Sequence, residues 1–385
     1  MSHSKIPGKQ LLPNISEASC NPAPQLTRFP RLLPPCSCET YVLKRTRPTG
    51  GSQSKELGLA REFKFYEHVA DASGAGPLSQ LASYLPRIIY AGGSMDTGLK
   101  DILMQDLSAA VQSGYFFGPF SPLNWGKDLS ALARGWDVEC GLGAQSVTEL
   151  AFSAAASAHA PFWNKYEDLK HLSWLRGVGW RDGEGEDLWT GFQRQAADAW
   201  DAERAKSDST IAWDPQLVAC LESSLARARP EAGGWGLFQT ELKTRPLTLV
   251  HGDFHPANMM IARDGASCRL FLLDWEVVGV GSGPQELGQY LISHASPQVR
   301  EEIWRAAVEA YYARLVALNP SIADSMSLQD CVAEYVNGGA GRWFWFLPIL
   351  ASMCPPKMTQ YFHDQVLAFV RYHNIEPGTC PMPRV

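Results

Sequence analysis

Hydrophobic and polar positions are patterned differently in the two parts of the chain. Thr40, Tyr41, Val42, Leu43 and Lys44 form a short run of strand formers, followed by a Gly-, Ser- and Thr-rich loop over 46–54. Leu59, Phe63, Tyr66 and Val69 then recur at helical spacing, which predicts a helix over 55–70 ended by Gly74 and Gly76. Residues 85–91 and 101–107 read as two further strands, able to pair as a hairpin through the glycine-containing loop between them. Beyond 108, alanine-rich helical patterns dominate, at 145–160, 186–206, 215–228, 297–318 and from 328 onward. One β-like island interrupts them at 247–275. Residues 1–39 hold Pro7, Pro13, Pro22, Pro24, Pro30, Pro34 and Pro35, and no periodicity survives between them. The expected organisation is therefore α+β with two unequal lobes. A poorly structured segment, 1–39, precedes a small strand-containing lobe, 40–107, and a large, mostly helical lobe, 108–385.

Composition narrows the function classes. With 385 residues, 45% hydrophobic and 19% charged, the chain can bury a sizeable core and is neither disordered nor collagen-like. A formal net charge of -6 disfavours a nucleic-acid coat protein, so no nucleic-acid partner is expected. The nine cysteines are scattered and form no C-x-x-C pair. Cys36 and Cys38 have no nearby partner set, so reduced thiols are expected and zinc is not. The N-terminal residues have no apolar signal core. The most apolar stretch, 343–354, is too short to span a bilayer and contains Pro348. A soluble, cytoplasmic protein without a membrane partner is the expectation.

The island at 247–275 carries the candidate chemistry. Leu247, Thr248, Leu249 and Val250 form an apolar strand that runs into His251-Gly252-Asp253-Phe254-His255-Pro256-Ala257-Asn258. Met259, Met260 and Ile261 resume the apolar pattern. A turn at Arg263-Asp264-Gly265 leads to a second strand, Leu270 to Leu273, which ends in Asp274-Trp275-Glu276. Each strand thus delivers an aspartate at its exit, and an asparagine follows the first by five residues. Phosphoryl transfer needs such a set: one carboxylate to orient the acceptor hydroxyl and take its proton, and oxygen ligands to hold Mg²⁺ against nucleotide phosphates. Asp253 suits the first role, and Asn258 and Asp274 the second.

These motifs resemble the catalytic loop and metal-binding segment of the aminoglycoside phosphotransferase and choline kinase type of small-molecule kinases, on the ecdysteroid kinase-like branch. The protein-kinase form of the loop has arginine where this chain has Gly252. The resemblance implies a protein-kinase-like, two-lobed fold and an ATP-dependent transfer of the γ-phosphate to a small-molecule hydroxyl, with ATP and Mg²⁺ as cofactors. It implies that Lys44 contacts the α- and β-phosphates and that Glu62 orients this lysine. It also implies that the hinge near Gln105 and Asp106 receives the adenine. Residues 150–163, ending in His159-Ala160-Pro161-Phe162-Trp163, are similar to a helix of the large lobe in that branch. His251 and His255 are expected to shape the loop rather than transfer protons. The aromatic run Trp343-Phe344-Trp345-Phe346 is the candidate for the acceptor site, because a run of four on a helix cannot all face one way.

One departure is visible. The family carries a glycine- or serine-rich hairpin before the lysine strand, whereas the prolines of 1–39 disfavour two strands there. Cys36-Ser37-Cys38 is the best candidate for a remnant turn. This departure motivates an alternative, a catalytically weak nucleotide-binding or regulatory protein. A protein kinase is a further alternative, opposed by His-Gly-Asp at 251–253 and by the lack of Ala-Pro-Glu after Asp274.

Overall fold

The computed structural model describes residues 40–47, 50–69, 78–130, 141–264 and 267–385, together with the backbone of 25–30. The small lobe is built on an antiparallel sheet of β1 (Gln25–Pro30), β2 (Thr40–Arg45), β3 (Ile88–Ser94) and β4 (Leu99–Gln105), in the order β1-β2-β4-β3. β1 corrects the expectation that 1–39 lack regular structure, since Gln25 to Pro30 pair with Arg45 to Thr40. Proline is tolerated there because β1 is the outermost strand and Pro30 its last residue. The connection 31–39, with the Cys36-Ser37-Cys38 turn, lies outside the described residues.

The helix expected over 55–70 is two helices, α1 (Gly51–Leu57) and α2 (Arg61–Val69). Gly58 separates them. It adopts a left-handed φ of 65° and caps α1 by donating its N–H to Lys55 and Ser54 carbonyls. β3 and β4 pair antiparallel, as the hydrophobic pattern predicted, with an irregularity between Ile88 and Tyr90. On β4, Lys100, Ile102 and Met104 face the interior, against α2.

The large lobe begins with β5 (Val111–Gln112) and continues through α3 (Ala144–His159), α4 (Glu186–Arg204), α5 (Pro215–Ala228) and α6 (Gly234–Thr244). The island then contributes β6 (Thr248–Val250), β7 (Met259–Asp264), β8 (Ser267–Leu272) and β9 (Gly279–Gly281). The remaining helices are α7 (Gly283–His294), α8 (Pro297–Leu318), α9 (Leu328–Met353) and α10 (Pro356–Tyr372). α6 and α7 were not anticipated, and the pattern from 328 onward divides at Pro355.

Two pairings fix the site. β7 and β8 form a hairpin with Met259 opposite Leu272, and β6 pairs with β9 with Val250 opposite Gly279. The exits of β6 and β8 are thereby brought side by side. The lobes meet where Phe65 of α2 stacks on Trp275, with ring centroids 4.1 Å apart and planes 13° from parallel. The described residues thus form an α+β arrangement of two parts, a small antiparallel sheet with its helices and a larger, mostly helical part. Among the described residues no helix is long and apolar enough to cross a membrane. Cys220, Cys331 and Cys380 are free thiols.

Candidate active site

The loop after β6 is shaped from its backbone outward. Gly252 has a φ of 83°, and a side chain there would overlap the Val277 carbonyl. The arginine of the protein-kinase motif therefore cannot occupy this position. Glu286 of α7 accepts the backbone N–H groups of both His251 and Gly252, and it also meets His159 Nε2 at 3.0 Å. His251 Nε2 meets the Leu273 carbonyl at 2.8 Å, and its Nδ1 accepts the Asp253 N–H at 3.3 Å. That ring packs 4.5 Å from Trp275. His251 thus ties the two strand exits together.

Asp253 is held at both oxygens. Oδ1 accepts from Gln289 Nε2 at 2.9 Å, and Oδ2 accepts from Asn258 Nδ2 and His255 Nε2, each at 3.2 Å. Burial alone would raise its pKa, but His255, Arg342 and His251 bring it below the ordinary carboxylate value. His255 accepts the Ala257 N–H at Nδ1 and stacks on His294 with planes 1° from parallel.

Facing this loop is a buried cluster of charges. Lys44 of β2 lies 2.7 Å from Asp274 Oδ1, 2.8 Å from Glu62 Oε2 and 3.1 Å from Glu276 Oε1. Lys100 of β4 bridges Glu62 and Glu276 and donates to the Leu59 carbonyl at 3.2 Å. Three carboxylates thus share two ammonium groups. Burial opposes the charge of Lys44, yet Asp274, Glu276 and Glu62 hold its pKa well above the usual value. Burial and Asp274 push Glu276 up despite Lys100 and Lys44, as expected where negative charge is in excess. Asp274 sits in the left-handed region at φ 65°, uncommon for a non-glycine residue and held here by its surroundings.

The structure therefore brings Lys44, Glu62 and Asp274 into direct contact and joins Asn258 to Asp253. Asp253 and Asp274 line one cavity, together with Glu276, Arg176, Arg342 and Trp345. Trp343 and Phe346 line a neighbouring cavity that also reaches Asp253. All four aromatics at 343–346 are buried. Gln105 and Asp106 lie elsewhere, at the end of β4, beside a cleft that includes Leu85, Arg87 and Arg269. The Asp106 N–H donates to the Thr40 carbonyl at 3.1 Å, and its carboxylate accepts from Thr40 and Ser108. The 159–163 segment is internal to the lobe, with His159 between Tyr311 and Glu286 and Trp163 donating to Ser325.

The oxygen donors fit a hard divalent cation. Glu62, Asp274 and Glu276 offer carboxylate oxygens within 4.8 Å of one another. Glu276 Oε2 is buried without a hydrogen-bond partner, an orphan that a cation would satisfy. Asn258 donates its amide nitrogen to Asp253, which directs its oxygen to the opposite side.

Several site residues escaped the sequence reading. Lys100 had a detectable signal: it shares the apolar, period-two face of Ile102 and Met104, where a solvated lysine does not belong. Glu286 and Gln289 stand three apart on one helical face, a weaker signal. Arg176 had none, because its place depends on a distant backbone contact.

Comparison with known proteins follows the same line. Residues 231–322 match the model of the ecdysteroid kinase-like family. No curated protein sequence matches the chain. Among solved structures, Plasmodium vivax ethanolamine kinase is 11% identical, covering 88% of this chain and 77% of its own, with a TM-score of 0.46. Choline kinase from Streptococcus pneumoniae is 9% identical over 94% of this chain and 93% of its own, with a TM-score of 0.48. An aminoglycoside phosphotransferase from Streptomyces rimosus is 10% identical over 86% and 85%, with a TM-score of 0.35. Over residues 231–322, which include the motifs at 251–276, the chain is thus similar to the ecdysteroid kinase-like family.

Proposed function

We propose that this protein transfers the γ-phosphate of ATP to a hydroxyl of a small molecule. The observation that carries the reading is the fixed carboxylate of Asp253, which lines one cavity with the Lys44-paired Asp274. Asn258 and Asp274 would hold Mg²⁺, with Glu276 beside them, and the metal would supply charge neutralisation at the phosphates. Lys44, oriented by Glu62, would meet the α- and β-phosphates. Asp253 orients the acceptor hydroxyl. Its lowered pKa makes it a weak base, so its contribution is alignment, with proton uptake late in the transfer.

Gln105 and Asp106 remain the proposed adenine-side residues, at the junction where β4 leaves the small lobe. The alternative of a protein that binds nucleotide without turnover rested on a missing N-terminal hairpin. β1 paired to β2 removes part of that motive.

The test is Asp253→Asn, which is nearly isosteric. The variant should melt within a few degrees of the parent while Mg²⁺- and acceptor-dependent ADP release falls by a factor of at least ~10³. Near-parental turnover by a folded Asp253→Asn protein would sink the assignment.

A further inference from the structure

The two buried lysines of the small lobe hold the same carboxylates in different ways. Lys100 is bonded to Glu62 Oε2, to Glu276 Oε1 and to the Leu59 carbonyl, one partner for each proton of its ammonium. Lys44 is bonded to no carbonyl in this cluster. Its Nζ lies 2.7 Å from Asp274 Oδ1, 2.8 Å from Glu62 Oε2 and 3.1 Å from Glu276 Oε1, so it faces three carboxylates with three protons. These three carboxylates are the same ones whose oxygens lie within 4.8 Å of one another. Glu276 Oε2 is buried in the cluster without a hydrogen-bond partner. Arg61 is the next positive group. It feels Glu276, but its Nε is donated to the Trp174 carbonyl at 3.2 Å, and among the described residues it forms no ion pair within the cluster.

The Lys44 ammonium therefore stands among the oxygens that would hold a divalent cation. A cation taking Asp274 and Glu276 would compete with Lys44 for Asp274 Oδ1 and Glu276 Oε1, and the two like charges would be neighbours. Lys44 is 7% exposed and Glu62 0%, so water screens little of that repulsion. The charges lead to the same conclusion. Three carboxylates and two lysines leave an excess of negative charge. Adding a divalent cation with both lysines in place turns this into an excess of positive charge, to which Arg61 adds. With Lys44 gone, the cation and Lys100 balance the three carboxylates. Lys44 is free to leave, because its four-carbon stem can rotate while β2 stays paired with β1 and β4.

We propose, on the reading of this site as a phosphotransferase, that Lys44 and a divalent cation are alternative partners of Asp274 and Glu276, so that Lys44 guards the metal site until nucleotide phosphates draw it away. Metal and nucleotide then bind as a coupled pair. The metal alone meets the ammonium on Asp274. The nucleotide alone competes with Asp274 for Lys44. Each removes the obstacle to the other, and by linkage the coupling is reciprocal. Lys100, held by the Leu59 carbonyl as well as by its carboxylates, stays in place and keeps the loaded cluster neutral.

The test measures Mn²⁺ binding to the full chain without nucleotide, by the paramagnetic resonance signal of free Mn²⁺. Lys44→Met should bind Mn²⁺ roughly tenfold or more tighter than the parent, the effect of removing one adjacent like charge, whereas Lys44→Arg, which keeps the charge, should stay within about threefold of it. Adding Asp274→Asn to Lys44→Met should abolish the gain. The reciprocal arm is calorimetric titration of ADP in EDTA. Asp274→Asn should tighten ADP binding several-fold, and adding Lys44→Met should remove that gain. A third arm needs no variant: in the parent, saturating Mn²⁺ should speed the acetylation of Lys44 by acetic anhydride, read by mass spectrometry, and should leave Lys100 protected. This arm decides the matter if Lys44→Met does not fold. Equal Mn²⁺ affinity of the parent and a folded Lys44→Met protein overturns the inference, as does Lys44 labelling that Mn²⁺ leaves unchanged. If Asp274→Asn weakens Mn²⁺ binding but Lys44→Met does not strengthen it, the metal site stands and only the guarding role falls. If no form of the protein binds Mn²⁺, the metal site falls, and the phosphotransferase reading falls with it.

Discussion

Replacing Lys100 by methionine keeps the length of the side chain and deletes its charge. Lys100 is 4% exposed and its two partners, Glu62 and Glu276, are 0% and 6% exposed. After the substitution Lys44 alone would face three carboxylates, two of them buried and Asp274 partly so. Removing one partner of a buried ion pair costs about 3–5 kcal/mol, most of it the desolvation of the charges left behind. With about 2.1 cal/mol/K of unfolding entropy per residue over 385 residues, this corresponds to a melting temperature roughly 4–6 °C lower. Lys100→Met combined with Glu276→Gln removes one positive and one negative charge together. The double variant should therefore recover about 2 kcal/mol relative to the single one. Chemical denaturation of the parent, both single variants and the double variant gives the coupling directly. A cost below about 1 kcal/mol for Lys100→Met, or strictly additive effects in the double variant, would refute the view that Lys100 neutralises this cluster.

Two further predictions follow from the loop and its surroundings. Gly252→Ala should cost roughly 2–4 kcal/mol, combining left-handed backbone strain with overlap against the Val277 carbonyl, and should depress turnover; calorimetry and ADP release check this. His294 is buried and its pKa is well below normal, chiefly through burial and then His255. The unfolded chain therefore takes up this proton first, so stability is full above the unfolded value of about 6.5 and falls as pH drops below it, by up to about 1.4 kcal/mol per pH unit. Melting curves between pH 5 and 7.5 should show a shallower slope for His294→Leu than for the parent. Equal slopes would mean that His294 is not held neutral.

What the sequence made legible was local. Asp253, Asn258 and Asp274 stand within one short island, so their spacing alone places them at neighbouring strand exits. Lys44 and Glu62 were reached through the resemblance, and the fold puts them in contact. The residues that escaped depend on long-range placement. Arg176 is set opposite Gly279 by a backbone bridge that no local pattern encodes. β1 was hidden by its prolines, because whether a strand lies at the edge of a sheet is a property of the sheet and not of the strand. The break at Gly58 was passed over because the apolar spacing of Leu59, Phe63 and Tyr66 suggested one helix, while the left-handed turn that divides it leaves only a glycine as its mark.

The contact between Lys44 and Asp274 spans 230 positions in the chain. During synthesis at about 5–20 residues per second, the lysine strand emerges roughly ten to fifty seconds before its counterions. Until then Lys44 and Lys100 have Glu62 as their only carboxylate partner in the cluster, and burying both against it would leave one positive charge uncompensated. The small sheet can pair its strands earlier, but its two buried lysines gain their full set of partners only when Asp274 and Glu276 have been made. Contacts of such long sequence separation slow folding and prolong the exposure of unpaired strands. A chaperone that shields the early strands would therefore act between the emergence of Lys44 and that of Glu276.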